Sequence, residues 1–165
     1  MKKPLLFVAI GLIMSSAAFS QDVIKNQPCN NESIQHQADS LKSLYAKDGF
    51  VLLKEASITM ESEYEMPVVM SLTEGTWYQF VFIGDYTSKL YEVRQYDWDE
   101  KMVVYKKLQW GDVDGNVISY SYIPKFSEYH MIKPVQVNKH KKSLCGYVML
   151  FKKSAPANEG PSSTK

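Results

Sequence analysis

The chain has 165 residues, 45% of them hydrophobic, with 19 Lys and Arg against 18 Asp and Glu. That length accommodates one domain with a real core. A balance this close to neutral gives no global electrostatic case for nucleic acid, whose binders are strongly basic.

Residues 1–20 read as a secretory signal peptide. Lys2 and Lys3 form a positive start, Leu5 to Met14 an apolar run, and Ala18-Phe19-Ser20 the small residues of a cleavage site before Gln21. The run turns polar at Ser15 and Ser16, short of the roughly 20 apolar residues of a spanning helix. Cys29 follows Asn26-Gln27-Pro28 rather than the small apolar residues of a lipoprotein signal. The expectation is an exported chain, periplasmic or secreted, with no membrane span after cleavage. Cleavage would leave 145 residues carrying 17 basic and 18 acidic side chains, a net charge of −1.

Residues 21–30 form an N-terminal segment, and a domain is expected over 31–153. Residues 31–48 carry the one helical pattern. Asn30 or Asn31 can cap it, Ile34, Ala38, Leu41, Leu44 and Tyr45 share one face, and Gly49 stops it. His36 lies off that face and should be solvated. After Gly49 the period becomes two, with strands expected at Phe50 to Lys54 and Val68 to Leu72. Trp77 to Ile83 is apolar on both faces, as a central strand would be, with Tyr78, Phe80 and Phe82 on one side. Leu90 to Tyr96 alternates, Tyr91 and Val93 opposite Glu92 and Arg94. Met102 to Gln109, Val117 to Tyr122, Tyr129 to Val137 and Ser143 to Lys152 complete the set. Short strands at this spacing indicate an all-β sandwich or barrel. The tail, 154–165, is rich in Ser, Pro, Ala and Gly, a composition expected to be disordered.

Cys29 and Cys145 allow one intramolecular pairing, and export makes its oxidation possible. A disulfide is the expectation, closing a loop worth about 4 to 5 kcal/mol in the chain-entropy model. The alternative leaves Cys145 as a small core residue.

Charge is segregated along the chain. Ten acidic residues lie between Glu55 and Glu100 beside Lys89 and Arg94, and seven lysines between Lys125 and Lys153 beside Glu128. Acidic and basic strands complementing one another across a sheet is the expected outcome. The run Lys139-His140-Lys141-Lys142 reads first as a charged hairpin turn and second as an anion patch.

Three stretches of the β region resemble the bacterial pre-peptidase C-terminal domain. They are Leu72-Thr73-Glu74-Gly75-Thr76-Trp77-Tyr78-Gln79-Phe80, Leu90-Tyr91-Glu92-Val93-Arg94-Gln95-Tyr96-Asp97 and Ser127-Glu128-Tyr129-His130-Met131-Ile132. The resemblance covers about residues 68–152. It implies a jelly-roll-like antiparallel β-sandwich, here with one N-terminal α-helix, and a non-catalytic appendage that binds a substrate or matrix. Some members bind calcium, but the acidic residues common before the Tyr-Asp strand are replaced here by Thr87-Ser88-Lys89, and no enzyme is attached. The chain also resembles uncharacterised small secreted proteins of Gram-negative bacteria.

Asp112, Asp114 and Asn116 alternate as calcium ligands do. The sixth and twelfth positions of an EF-hand-type loop would then fall on Val117 and Ile123, and neither is the required Gly or Glu. Asp114-Gly115 is a hairpin signal in its own right, so a turn is preferred. A weak extracellular calcium site, with affinity of about 10⁻⁴ to 10⁻³ M, is the alternative. The chain contains no Gly-x-Ser-x-Gly elbow, zinc helix or phosphate loop, and His36, His130 and His140 sit on different elements. No enzyme and no cofactor are expected.

Eleven tyrosines and three tryptophans are many for this length. Trp98 lies in the polar turn Asp97-Trp98-Asp99-Glu100, and Trp110 borders the other loop. The preferred expectation is that both rings fold back as plugs over the ends of the sandwich. Exposed rings beside Asp97 and Asp99 would instead offer a ligand surface, to a glycan or to a protein. The expected function is a binding or accessory module contacting another envelope or extracellular protein, with a carbohydrate-binding module as the alternative.

Overall fold

The computed structural model describes residues 28–109 and 115–154. One helix, α1 (Glu32–Lys47), precedes eight strands: β1 (Phe50–Glu61), β2 (Val68–Leu72), β3 (Tyr78–Gly84), β4 (Leu90–Tyr96), β5 (Met102–Gln109), β6 (Val117–Tyr122), β7 (Glu128–Val137) and β8 (Ser143–Lys153). They form two antiparallel four-stranded sheets, β1-β8-β3-β6 and β2-β7-β4-β5. The first four strands pair with the last four in reverse order, β1 with β8, β2 with β7, β3 with β6 and β4 with β5. The chain is thus one long hairpin rolled into a sandwich, which is the jelly-roll path.

Asn31 caps α1, its Oδ1 accepting from the Ile34 N–H at 3.2 Å. Ile34 and Ala38 are buried, and Leu41 and Tyr45 pack beside them against Val81, Ile83, Met149 and Phe151. Leu44, expected on this stripe, is exposed instead. It falls outside the 34-38-41-45 line along which the helix touches the sheet. His36 is exposed, as expected.

The helix covers the outer face of the β1-β8-β3-β6 sheet, so every residue of β3 is buried. Tyr78, Phe80 and Phe82 point into the space between the sheets, with Ile58, Met60, Leu72, Val93 and Ile132. β1 runs seven residues past Lys54, the end its sequence suggests, because Ile58 and Met60 continue to supply core contacts. Its register against β8 slips between Leu52 and Lys54.

Cys29 and Cys145 form a disulfide, with Cα atoms 5.7 Å apart. Ser57 bonds the backbone of Cys29 as donor and as acceptor. The segment before α1 is therefore fixed to β8 and β1. No helix among the described residues is long and apolar enough to cross a membrane. The expected signal peptide and the tail from 155 on lie outside the described residues.

Candidate functional site

Among the described residues, the β2-β7-β4-β5 sheet has no helix on its outer face. An antiparallel sheet solvated on one side normally alternates apolar-in with polar-out. Here Val69, Met131, Tyr96 and Met102 are cross-strand partners in one row, and all point outward. Val69 and Met102 are each about half exposed and Met131 is 37% exposed. The sheet therefore presents an apolar line running across all four of its strands.

A charged band borders this line on one side. Arg94 reaches Glu65 at 2.8 Å and Glu92 at 2.6 Å, and Lys133 reaches Glu65 at 2.9 Å. The Lys133 ammonium, with Arg94, holds the Glu65 carboxyl below the usual carboxylate range. Tyr105 donates to Glu92 at 3.2 Å, and the Lys133 ammonium lies 5.1 Å over the Tyr96 ring. Of these pairs Lys133–Glu65 joins the lysine-rich stretch to the acidic one, and Glu65 lies in the loop between β1 and β2 rather than on a facing strand. Lys139 to Lys142 lie in the β7–β8 turn, where Asn138 Oδ1 accepts from the N–H groups of His140 and Lys141.

On the other side of the row stands the β4–β5 turn. Asp97 Oδ1 accepts from the Lys101 N–H at 2.8 Å, and the Asp97 N–H donates to the Lys101 carbonyl at 3.0 Å. Glu100 takes a left-handed backbone, φ 58°. This brace lifts Trp98 away from the sandwich, where it is 68% exposed. The expectation that Trp98 plugs the end of the fold is corrected: the turn is too tight, and too fully bonded to its own backbone, to fold the ring inward. Trp98 instead meets Tyr129 of β7, ring centroids 6.2 Å apart. Of the expected ligand residues, Asp97 is committed to the turn, while Asp99 makes no hydrogen bond or ion pair among the described residues. Trp110 lies outside those residues.

Beside this turn lies a cleft of about 560 Å³, lined by Asp97, Asp99, Met102, Tyr122, Phe126 and Glu128 among others. Met102 belongs both to the cleft and to the apolar row, so the two surfaces are continuous around the free edge of β5. A buried polar chain runs from the core toward this cleft. The Tyr120 hydroxyl donates to Gln95 Oε1 at 2.9 Å, and Gln95 Nε2 meets His130 Nδ1 at 3.2 Å. Since the amide nitrogen is a donor, Nδ1 accepts and the imidazole proton sits on Nε2. Among the described residues that buried nitrogen meets no hydrogen-bond partner of good geometry, and it lies 3.4 Å from Glu128 Oε1. Burial lowers the His130 pKa, outweighing Glu128, Asp97 and the backbone of Tyr96, which raise it.

The calcium alternative rested on Asp112, Asp114 and Asn116. The two aspartates lie outside the described residues. Asn116 Oδ1 accepts from Gln37 Nε2 at 2.9 Å, and its Nδ2 donates to Gln37 Oε1 at 3.0 Å and to the Gly84 carbonyl at 2.7 Å. Its amide joins α1 to the end of β3. Gly115 has φ 61°, as the preferred turn requires.

The row Val69-Met131-Tyr96-Met102 was not singled out from sequence. Alternation shows that such residues share a face, but not whether that face is covered.

No family model matches the chain, and no curated protein matches it. Among solved structures it is similar to a chain of the disulfide-linked pili of Bacillus endospore appendages, at 8% identity and TM-score 0.40, over 65% of this chain and 89% of that one. It is similar to a CBM4 structure at 13% identity and TM-score 0.41, over 67% and 83%. It is also similar to the CBM22-1–GH10 modules of a Clostridium thermocellum xylanase complexed with xylohexaose, at 12% identity and TM-score 0.35, over 67% and 27%. Likenesses this remote carry no ligand or partner across.

Proposed function

We propose that this is an exported, non-catalytic binding module that docks another envelope or extracellular protein on the outer face of the β2-β7-β4-β5 sheet. The observation that carries the reading is the in-register apolar row, uncovered on a face where polar residues are the rule. Its chemistry favours protein over sugar. Valine and methionine offer no flat ring for a pyranose face, whereas Met, Tyr, Trp and Arg are the residues enriched at protein interfaces. The disulfide supports an oxidising compartment.

The test is a photo-cross-linking amino acid placed at Met131, and as control at exposed Gln35 on α1, in cells that make the protein. One dominant adduct is expected from position 131 and none from 35, and Val69→Glu should abolish it without changing the melting curve. Equal background from both positions would sink the reading. A second reading, a glycan module, is favoured by exposed Trp98 beside Asp99, which has no partner among the described residues. Saturable quenching of tryptophan fluorescence by an oligosaccharide, lost in Trp98→Ala, would establish it instead.

A further inference from the structure

Four strands form the edges of the two sheets: β1 and β6 in one, β2 and β5 in the other. A sheet edge offers unpaired N–H and C=O groups to any extended chain, and proteins guard it with charge, proline, shortness or an irregularity. Three of these edges are guarded. β1 carries Lys54, Glu55 and Glu61 and slips register against β8. β2 has five residues and follows Pro67. β5 carries Lys106 and Lys107 and slips register against β4. β6, Val117-Ile118-Ser119-Tyr120-Ser121-Tyr122, has no charge, no proline and an unbroken register with β3. Among the described residues it pairs with β3 alone.

β6 faces β5 across an open seam. Cavities of about 520 and 260 Å³ lie in it, both lined by Lys106 and Ser119 and neither by any Asp or Glu. Lys106 pairs with Val93, and its neighbours Val104 and Leu108 pair with Gln95 and Tyr91, all three partners being buried. Lys106 thus stands at a core-facing position, yet it is exposed, because among the described residues no strand closes the seam. Its ammonium meets no carboxylate among those residues, whereas Lys107, on the outer side, reaches Glu92 at 3.9 Å. The helix supplies the other wall. Gln37 of α1 bonds Asn116, just before β6, and Leu44, seven residues on, lies on the same flank of the helix. There Leu44 is 51% exposed.

We infer that the β6 edge takes an extended segment of a partner protein, which adds a strand to the β1-β8-β3-β6 sheet and carries an Asp or Glu opposite Lys106. Alternate side chains of that segment enter the seam over Val104 and Leu108, and the carboxylate among them meets the ammonium. The others lie on the outer face, beside Leu44 and the hydroxyls of Ser119 and Ser121. Backbone bonds supply affinity in such strand addition, and the alternate side chains supply choice. Charge argues against a second copy as the occupant. A twofold β6–β6 pairing would bring β5 toward its own copy, and Lys106 toward Lys106. The seam lies around β5 from the apolar row, so this inference stands or falls apart from docking there.

The test uses the purified protein with its disulfide intact and fluorescein-labelled octapeptides of alternating valine and threonine. One central valine is replaced by glutamate, glutamine or lysine. Fluorescence anisotropy should show the Glu peptide binding at least about fivefold more tightly than the Gln peptide, and the Lys peptide most weakly. Lys106→Glu should reverse that order, a gain for the Lys peptide that misfolding cannot produce. Leu44→Ser, at an exposed position, should weaken the Glu peptide about twofold to fivefold. N-methylating alternate residues of the Glu peptide should abolish binding in one phase and be tolerated in the other, since one edge of a strand bonds β6. Equal affinity for all three peptides, an order unchanged by Lys106→Glu, or tolerance of N-methylation in both phases would overturn the inference. So would a dimer in sedimentation that none of the peptides dissociates, which would give the β6 edge to a second copy.

Discussion

Trp98 and Tyr129 stand with ring centroids 6.2 Å apart and planes tilted by 46°, although one tips the β4–β5 turn and the other faces outward near the start of β7. Each remains more than half exposed. Rings that shield each other this little contribute little to folding, since surface substitutions outside special features change stability by about 0.5 kcal/mol or less. Trp98→Ala and Tyr129→Ala should therefore leave the melting temperature within about 2 °C of the parent. The same variants should lose most of the adduct formed from position 131. A fall of more than about 1 kcal/mol in either would make the pair part of the fold and not of a binding surface.

Gly84 ends β3 beneath the ring of Tyr91. A Cβ there would lie 2.5 Å from two ring carbons and 3.1 Å from Gln136 Oε1. Neither neighbour can withdraw freely. The Tyr91 hydroxyl donates to the carbonyls of Asp85 and Ser88 at 2.8 and 3.1 Å, and burial pushes its phenol pKa up to about 12. Gln136 Oε1 accepts from the Asp85 N–H and the Ser88 hydroxyl. Gly84→Ala should cost about 1 to 3 kcal/mol, as overpacking does. At Gly146 a Cβ would lie 2.7 Å from Met60 Sδ, 3.0 Å from Phe82 Cε2 and 3.3 Å from Ile58 Cγ1, all in the core, so Gly146→Ala should cost a similar amount. Urea unfolding of the two variants side by side checks this, and either one within error of the parent would refute it.

The fold was legible wherever side-chain period reported burial. β3 reads as apolar on both faces because α1 and the opposite sheet cover both, and β4 alternates because Tyr91 and Val93 face the core while Glu92 and Arg94 pair on the other face. The helix stripe was readable at Ile34, Ala38, Leu41 and Tyr45, but not at Leu44, because periodicity does not say how wide the contacting face is. The far half of β1 was missed because Lys54, Glu55 and Ser57 interrupt the apolar pattern at a sheet edge. The candidate site was half legible. Trp98 and its acidic neighbours stood out as residue types, yet its exposure depends on how Asp97 braces the turn. The apolar row depends on register between four strands that are distant in sequence, and no local pattern encodes that.

The disulfide closes a sequence separation of 116 residues around nearly the whole fold. In the chain-entropy model a loop of this length restricts the unfolded chain by about 4 to 5 kcal/mol. Cys29→Ser combined with Cys145→Ser should therefore lose up to that amount in urea unfolding, and the parent in reductant should show the same shift. The loss should be felt first in α1, whose apolar face rests on Val81, Ile83 and Met149 beside the crosslink. Amide exchange of α1 should rise well above that of β3 and β4 in the variant. Uniform loss of protection across all elements would show that the crosslink acts on the sandwich as a whole.

His130 should make folding sensitive to mild acid. Burial lowers its pKa in the folded protein, whereas in the unfolded chain it titrates near its ordinary value of about 6.5. Above that value both states hold a neutral imidazole, and the group adds no pH dependence. Below it the unfolded chain takes up a proton that the folded protein resists, so stability falls as pH drops from about 6.5 toward the depressed folded value. Around the ring, Glu128, Asp97 and a backbone hydrogen bond to Tyr96 oppose the shift, and Gln95 and Tyr122 are neutral. Urea midpoints of the parent should decline between about pH 7 and pH 5.5. In His130→Gln the amide oxygen can still accept from Gln95, and that part of the decline should vanish even though the variant is less stable throughout. An equal slope in both proteins would assign the acid sensitivity elsewhere. A rise in parent stability over the same interval would mean that Glu128 and Asp97 outweigh burial and that the imidazole is charged in the folded state.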